Sequence, residues 1–320
     1  MELSLTSHPN GFRCASKIQE LAQHSQILRE WSLRYAQISK GRFEGNLRKV
    51  WLDGVQMYEE SLQQSVFQNG EARNDTLCLG VFKTLSGDTR WMGKSLSVHD
   101  ITWSYGKGEL MLQTPEVSSL LVLSVPVDLL DGLSDSLPRP VCSVRDEVMS
   151  GRIRQQIVSI IENMMNHPLQ MAGQQARTQF QSDIRDLVFS FFNLVHAQPE
   201  SIKHTIQKAQ RVVVTAQDAL LAHPDSPVTM EELCAMTHTS RRTLQNCFEI
   251  VTGQSPAVFL KNMRLNGVRK ALVTGDADAN VSQIAADWGF WHLSQFTVDY
   301  KRLFGELPSQ TLKANRIFAA

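Results

Sequence analysis

Long polar side chains between residues 240 and 246 have the chemistry needed to recognise DNA bases. The segment SRRTLQNCF (240–248) places Arg241, Arg242, Gln245 and Asn246 on one face of a helix and its apolar residues on the other. Arginine can donate two hydrogen bonds to guanine O6 and N7, and glutamine or asparagine can pair with adenine N6 and N7. An arginine pair alone is more often a solvated helix start, so the surrounding elements decide its meaning.

The elements around this segment recur 52 residues further along the chain. In both copies a short helix comes first, predicted over 230–236 and 282–288, and a second helix follows a tight turn. The pattern indicates an internal duplication of a helix-turn-helix, in which the second helix lies in the major groove. The corresponding pairs are Leu244 and Phe296, Phe248 and Tyr300, Gly253 and Gly305, Pro256 and Pro308, and Leu260 and Leu312.

The helix ends of the first copy carry recognisable signals. Thr229 and Glu232 have the spacing of a capping box, and Ser240 is suited to cap the next helix. Gly253 is suited to end that helix, and Pro256 to begin a long helix that extends to about residue 273. These signals predict two helices and a linker helix in direct succession.

The duplication assigns DNA contacts to both copies. The second copy offers fewer charges, so we expect it to depend more on van der Waals contacts and phosphate hydrogen bonds. Trp288 and Phe290 are predicted to be core residues, Trp291 to be either core or DNA contact, and Gly289 to permit the turn. The predicted base contacts are Arg241, Arg242, Gln245, Asn246, His292, Leu293, Ser294 and Gln295, and the predicted backbone contacts are Ser240, Thr243, Lys261, Arg264, Thr297, Lys301 and Arg302.

The chain before residue 201 has a different pattern. Residues 16–39 have helical spacing, and short alternating runs punctuated by glycine between 45 and 130 predict antiparallel strands. Apolar residues recur at helical spacing over 153–164 and 172–197, and the second stripe suits either the core beneath the strands or a dimer interface. The predicted fold is α+β: a β-sandwich or barrel, cupin-like, over 1–140, a helical connector over 141–200, and an all-α domain over 201–320.

Composition restricts the classes of function. The chain has 320 residues and no formal net charge, which argues mildly against very tight non-specific binding to DNA, so a DNA-binding interpretation rests on where Arg and Lys are placed. Its five cysteines are scattered, without metal-ligand spacing, which is typical of a reducing compartment. No signal peptide or membrane-spanning segment is recognisable, and no catalytic motif is present. We therefore expect a cytoplasmic protein without membrane contact, metal, cofactor or enzymatic activity.

Three segments of the C-terminal half resemble the AraC/XylS family of bacterial transcription regulators. They are SRRTLQNCF (240–248), GQSPAVFLKNMRL (253–265) and WGFWHLSQFTVDYKRLFGELPSQTL (288–312), within a resemblance that covers about residues 205–316. It implies two helix-turn-helix units, joined by a long helix, that bind successive major grooves of double-stranded DNA. It also implies transcription activation through RNA polymerase, with an effector-binding domain upstream.

Two positions depart from the family pattern. The family usually has alanine where Gly267 stands. Glycine in place of alanine costs about 0.5–1 kcal/mol of helix stability. Many relatives have an arginine where this chain has Val298, so the second unit is expected to discriminate less between bases.

The resemblance also suggests effectors. Residues 288–293 and 264–269 are most similar to the ethanolamine-operon regulators, and residues 304–309 resemble the benzoate and toluate regulators. The resemblance therefore implies ethanolamine with cobalamin, or an aromatic carboxylate, as the small-molecule effector.

Three hypotheses about the whole chain remain open at this point. The first is a homodimeric regulator that responds to a small molecule, with the helices between 146 and 197 dimerising or relaying the signal. The second is a regulator whose N-terminal domain only dimerises or binds a protein partner. The third is a metal-dependent cupin enzyme fused to a DNA-binding domain.

Overall fold

A computed structural model describes residues 10–28, 33–71, 75–105, 108–130, 141–197, 204–275 and 279–319. The strands are β1 (Gly11–Ile18), β2 (Leu33–Gln37), β3 (Gly45–Leu52), β4 (Val55–Leu62), β5 (Val66–Glu71), β6 (Thr76–Ser86), β7 (Arg90–Trp91), β8 (Lys94–Ser95), β9 (Asp100–Tyr105), β10 (Glu109–Gln113), β11 (Val117–Pro126) and β12 (Val141–Arg145). The helices are α1 (Leu21–Ile27), α2 (Glu147–Asn166), α3 (Pro168–Met171), α4 (Gln174–Ala197), α5 (His204–Ala222), α6 (Met230–Met236), α7 (Arg241–Thr252), α8 (Pro256–Thr274), α9 (Val281–Asp287), α10 (Leu293–Phe304) and α11 (Pro308–Ala319).

The strands form two antiparallel sheets that face each other. The seven-stranded sheet has the order β1-β3-β4-β11-β6-β9-β12, and the five-stranded sheet has the order β2-β5-β10-β7-β8. Their facing sides share a core, to which the larger sheet contributes Tyr58 and Phe82 and the smaller sheet contributes Leu110 and Leu112. The predicted β-rich N-terminal domain is therefore confirmed.

Helices α2 and α4 cover the other side of the seven-stranded sheet. Their apolar residues share one cluster with that sheet, and the rings of Trp103 and Phe191 pack edge to face with centroids 5.5 Å apart. The guanidinium of Arg177 binds Asp53 at the hairpin between β3 and β4, which fixes α4 on the sheet. Of the two roles proposed for the 172–197 stripe, the structure shows the core role.

The structure differs from the sequence-based prediction in two places. Helical spacing over 16–39 predicted one or two helices, but among the residues described there, 16–28 and 33–39, only α1 is helical; β1 pairs with β3, and β2 pairs with β5. The predicted break at 137–140 lies outside the described residues. The connector assigned to 141–200 begins instead with β12, whose pairing with β9 extends the larger sheet to Arg145.

The C-terminal helices lie on the outer side of the five-stranded sheet. Phe67 of β5 and Met111 of β10 point outward and join the core formed by α5, α7 and α8. The layers therefore follow the order α2 and α4, seven-stranded sheet, five-stranded sheet, and C-terminal helices. A single sheet separates the sandwiched core of the N-terminal domain from the C-terminal domain.

Candidate nucleic-acid interface

The first helix pair consists of α6 and α7. Thr229 and Glu232 form the predicted capping box, in which the Thr229 hydroxyl accepts from the Glu232 amide and the Glu232 carboxylate accepts from the Thr229 amide. Ser240 caps α7 by accepting from the amide of Thr243. The residues that fill the space beneath α7 are Leu233, Leu244, Cys247, Phe248 and Val251. Both caps predicted from the sequence are confirmed.

The outer face of α7 carries the predicted base-contacting side chains. Arg241, Arg242, Gln245 and Asn246 are exposed and occupy one side of the helix. Within the described part of the chain, Arg241 and Arg242 form no ion pair. Their donors are consequently available to a ligand outside the chain.

The end of α7 and the start of α8 follow the predicted signals. Gly253 has a φ of 64°, the left-handed conformation that ends a helix, and Pro256 occupies the first turn of α8. Helix α8 then continues to Thr274 and leads to the second helix pair.

The second pair, α9 and α10, repeats this arrangement. Gly289 has a φ of 73° in the connecting turn, and a Cβ atom there would lie 2.7 Å from Pro227. Phe296 and Tyr300 are buried, whereas the predicted base contacts on the opposite side are exposed: His292, Leu293, Ser294 and Gln295. No side chain caps α10, because His292 at the N-cap makes no such bond. The first amides of α10 are therefore suited to bind a phosphate.

The three aromatic residues near the second turn have different environments. Trp288 packs against the cores of both helix pairs, and Phe290 packs with Phe296 at a centroid distance of 5.2 Å. These two positions confirm the predicted core role. Trp291 is 68% exposed, so it does not belong to the core and lies next to the predicted contacts of α10.

The residues predicted to bind the DNA backbone fall into two groups. Ser240, Lys301 and Arg302 are exposed, although the Ser240 hydroxyl also caps α7. The others already have partners inside the chain: Thr243 bonds to Ser240, Thr297 donates to the Leu293 carbonyl, Lys261 binds Asp299 at 3.0 Å, and Arg264 stacks on Phe290 at 5.0 Å. Burial lowers the pKa of Arg264. The structure thus gives Arg264 a packing role that the sequence did not indicate.

Gly267 on α8 faces the indole of Trp288. A Cβ atom at residue 267 would lie 2.2 Å from the ring, which is too close for any side chain. The departure from the alanine of the family therefore accompanies a bulky residue at 288. Gly267 and Trp288 together fill the space between α8 and α9.

Contacts between the two domains were not predicted from the sequence. Gln37 and Asn266 exchange hydrogen bonds, from the Gln37 amide to the Asn266 side chain and from that side chain to the Gln37 carbonyl, each at 2.9 Å. The buried Arg269 binds Glu20 of the N-terminal domain and also Glu306 of its own domain. These partners lie far apart in sequence, so no local pattern signals them.

The described residues contain no group of three or more histidine, cysteine, aspartate or glutamate side chains placed to hold a metal ion. None of the described helices is both long and apolar enough to cross a membrane.

Comparison with known proteins finds relatives for the region that contains α7 and α10. Residues 233–314 match the family model described as a helix-turn-helix domain. The XylDLEGF operon transcriptional activator of Pseudomonas putida is 39% identical over 89 residues, which are 27% of this chain and 27% of that protein. A probable thc operon regulatory protein of Rhodococcus erythropolis is 37% identical over 103 residues, 32% of this chain and 31% of that protein. The chain thus matches about a third or less of the length of these relatives.

Among solved structures, a probable AraC family transcriptional regulator from Rhodopseudomonas palustris is 34% identical, with a TM-score of 0.31, over 33% of this chain and 98% of that chain. The family-model match over residues 233–314 covers α7 and α10, whose exposed sides carry the predicted contacts. The C-terminal region, residues 233–314, is a DNA-binding helix-turn-helix domain of the AraC/XylS family of transcription regulators.

Proposed function

We propose that this chain is a sequence-specific transcription activator with two helix-turn-helix units and a small-molecule effector. The observation that carries the DNA-binding part is the pair of matched helices α7 and α10, each buried on one side and exposed on the side with predicted base contacts. Two units on one chain suit adjacent major grooves of double-stranded DNA.

The two units have different roles in this proposal. The unit with α7 provides most base discrimination, because Arg241, Arg242, Gln245 and Asn246 can form bidentate pairs with guanine and adenine. The unit with α10 anchors the domain through its uncapped helix start and through contacts of Leu293 with thymine methyl groups.

The N-terminal domain is proposed to bind the effector between its two facing sheets, as a cupin-like sandwich does. A void of about 40 Å³ lies there, lined mainly by apolar side chains from both sheets. Ligand sites in proteins are typically concave and mostly apolar, with few polar groups. The sequence resemblance to the ethanolamine-operon regulators and to the benzoate and toluate regulators makes ethanolamine with cobalamin, or an aromatic carboxylate, candidates for this effector, and the lining of the void decides among candidates.

The proposed mechanism is a shift of population between docked and released arrangements of the two domains. Effector binding changes the five-stranded sheet and thereby the docking of the C-terminal domain. The released domain binds two half-sites and recruits RNA polymerase. We propose that the protein acts as a cytoplasmic homodimer that associates through the outward sides of α2 and α4, by binding alone and without enzymatic chemistry.

The test is a gel-shift titration with a duplex that the wild-type chain selects from a random pool. Arg242→Ala should weaken binding by about 1–3 kcal/mol and relax preference at one base pair. Arg211→Ala is the matched control, because Arg211 is exposed on α5, outside both helix pairs. If both variants bind and discriminate like the wild type, α7 is not a recognition helix.

A further inference from the structure

The void between the sheets has a lining that is mostly hydrocarbon. Side chains from both sheets surround it, and the residues that matter most here are Tyr58, Phe82, Trp91, Leu110, Leu112 and Val122. All six are buried. A ligand in this position would therefore exchange water for aromatic and aliphatic contacts.

Three polar side chains at the lining, those of Thr102, Trp91 and Gln68, donate to partners inside the chain. The Thr102 hydroxyl donates to the Gly80 carbonyl at 3.1 Å, and the Trp91 indole donates to the Cys142 carbonyl at 2.8 Å. The Gln68 amide donates to Glu60 at 3.0 Å. The void therefore offers a ligand few free hydrogen-bonding groups, which disfavours a strongly polar ligand.

The charges near the void disfavour a charged ligand. Among the described residues that line it, none is lysine, arginine, aspartate or glutamate. The neighbouring carboxylate of Glu60 is buried, and it is engaged by His24 at 2.8 Å and by Gln68. Burial and then the charge of Glu60 raise the pKa of Tyr58. A charged group of a ligand, whether carboxylate or ammonium, would lose its hydration there and find no side chain of opposite charge among the lining residues.

Resting on the proposed function, we propose that the effector is an uncharged small molecule with an aromatic or aliphatic body that enters between the two sheets. This class excludes both effectors suggested by the sequence resemblance, because an aromatic carboxylate is an anion and ethanolamine is a cation at neutral pH. Cobalamin is far larger than the void.

The size of the void links binding to domain docking. A cavity that accepts benzene has a volume of roughly 150 Å³, whereas this void measures about 40 Å³. A ring can therefore enter only if the sheets separate. Gln68 and Leu112 line the void, while their neighbours Phe67 and Met111 pack against the C-terminal helices. Expansion of the void must shift the strands that hold the C-terminal domain.

The test compares benzyl alcohol with benzoate, which share a ring and differ in charge at neutral pH. Benzyl alcohol at five times its Kd should raise the melting temperature of the full chain by about 2–4 °C. Benzoate and ethanolamine at the same concentration should leave it unchanged. Binding of benzoate or ethanolamine at least as tight as that of benzyl alcohol would overturn the proposal, and so would failure of all three probes to bind.

Two substitutions on β11 locate the site. Val122→Phe fills the void and should abolish the effect of benzyl alcohol, whereas Leu123→Phe, on the helix-facing side of the same strand, should retain it. Equal loss in both variants would contradict binding in the void. Gel-shift titration of the same wild-type preparation tests DNA binding independently, so failure of the effector class is distinguished from failure of the proposed function.

Discussion

The rings of Phe67 and Phe259 pack edge to face across the domain boundary, with centroids 5.0 Å apart. Phe67 belongs to β5 and Phe259 to α8, and both are fully buried. Phe259 also packs against Phe248 of α7 at 5.7 Å. One sheet residue is therefore connected through two rings to the helix that carries the predicted base contacts.

Phe67→Ala should weaken the docking of the two domains. Loss of a buried phenylalanine typically costs about 3–5 kcal/mol, and here the lost contacts include those with Phe259 of the C-terminal domain. In differential scanning calorimetry we expect one transition for the wild type and two for Phe67→Ala. Phe82→Ala is the control, because Phe82 is equally buried but faces the core between the sheets. Splitting in both variants would show that the effect is not specific to docking.

Gly267→Ala should destabilise the protein although alanine favours a helix by about 1 kcal/mol. The added Cβ atom would lie 2.2 Å from Trp288, so the indole must move. Combining the change with Trp288→Leu should recover part of the loss in urea denaturation. Gly151→Ala is the matched control in α2, where a Cβ atom meets nothing within 4 Å, and it should stabilise. Stabilisation by Gly267→Ala alone would refute the packing argument.

Lys261→Ala should weaken DNA binding similarly for all sequences and lower the salt dependence by about one phosphate contact. Lys261 pairs with Asp299 in the free protein, so Asp299→Asn frees the ammonium group and should strengthen binding. Gel shifts at several salt concentrations measure both effects. If neither variant changes the salt slope and both lower stability equally, the pair is only structural.

Asp100 should contribute its full stabilisation above about pH 4 and lose it as the pH falls further. Burial raises its pKa, but hydrogen bonds from Arg145 and Ser97 outweigh burial, so the pKa lies below its ordinary value. A carboxyl group with a lowered pKa in the folded state stabilises it above the unfolded-state pKa and loses this contribution as the pH falls. The difference in unfolding free energy between wild type and Asp100→Asn should therefore shrink from pH 7 to pH 3. A constant difference would argue against this coupling.

The helix ends of the C-terminal domain were predictable because their causes are local. Thr229, Gly253 and Pro256 act on groups within a few residues, and the structure places caps and turns where the sequence indicates them. The internal duplication made the second helix pair predictable from the first. The exposed sides of α7 and α10 followed from helical periodicity, and contact of their residues with DNA stays a prediction.

Contacts that depend on distant partners were not predictable. The spacing of residues 16–39 suits a helix, but Leu33–Gln37 is a strand because β5 supplies its hydrogen bonds. In the same way, Arg264 has the composition of a phosphate contact, yet Phe290 lies under its guanidinium. In both cases tertiary packing outweighed the local pattern.

The alternation of side chains in β5 has a consequence for how such proteins diversify. Phe67 faces the C-terminal domain and Gln68 faces the void, and these two sides belong to different cores. A mutation at one residue can therefore change the inner wall while the outer contacts stay in place. Substitutions at residue 68 can thus alter which ligand enters the N-terminal domain, and substitutions at residue 67 can alter how tightly the C-terminal domain is docked.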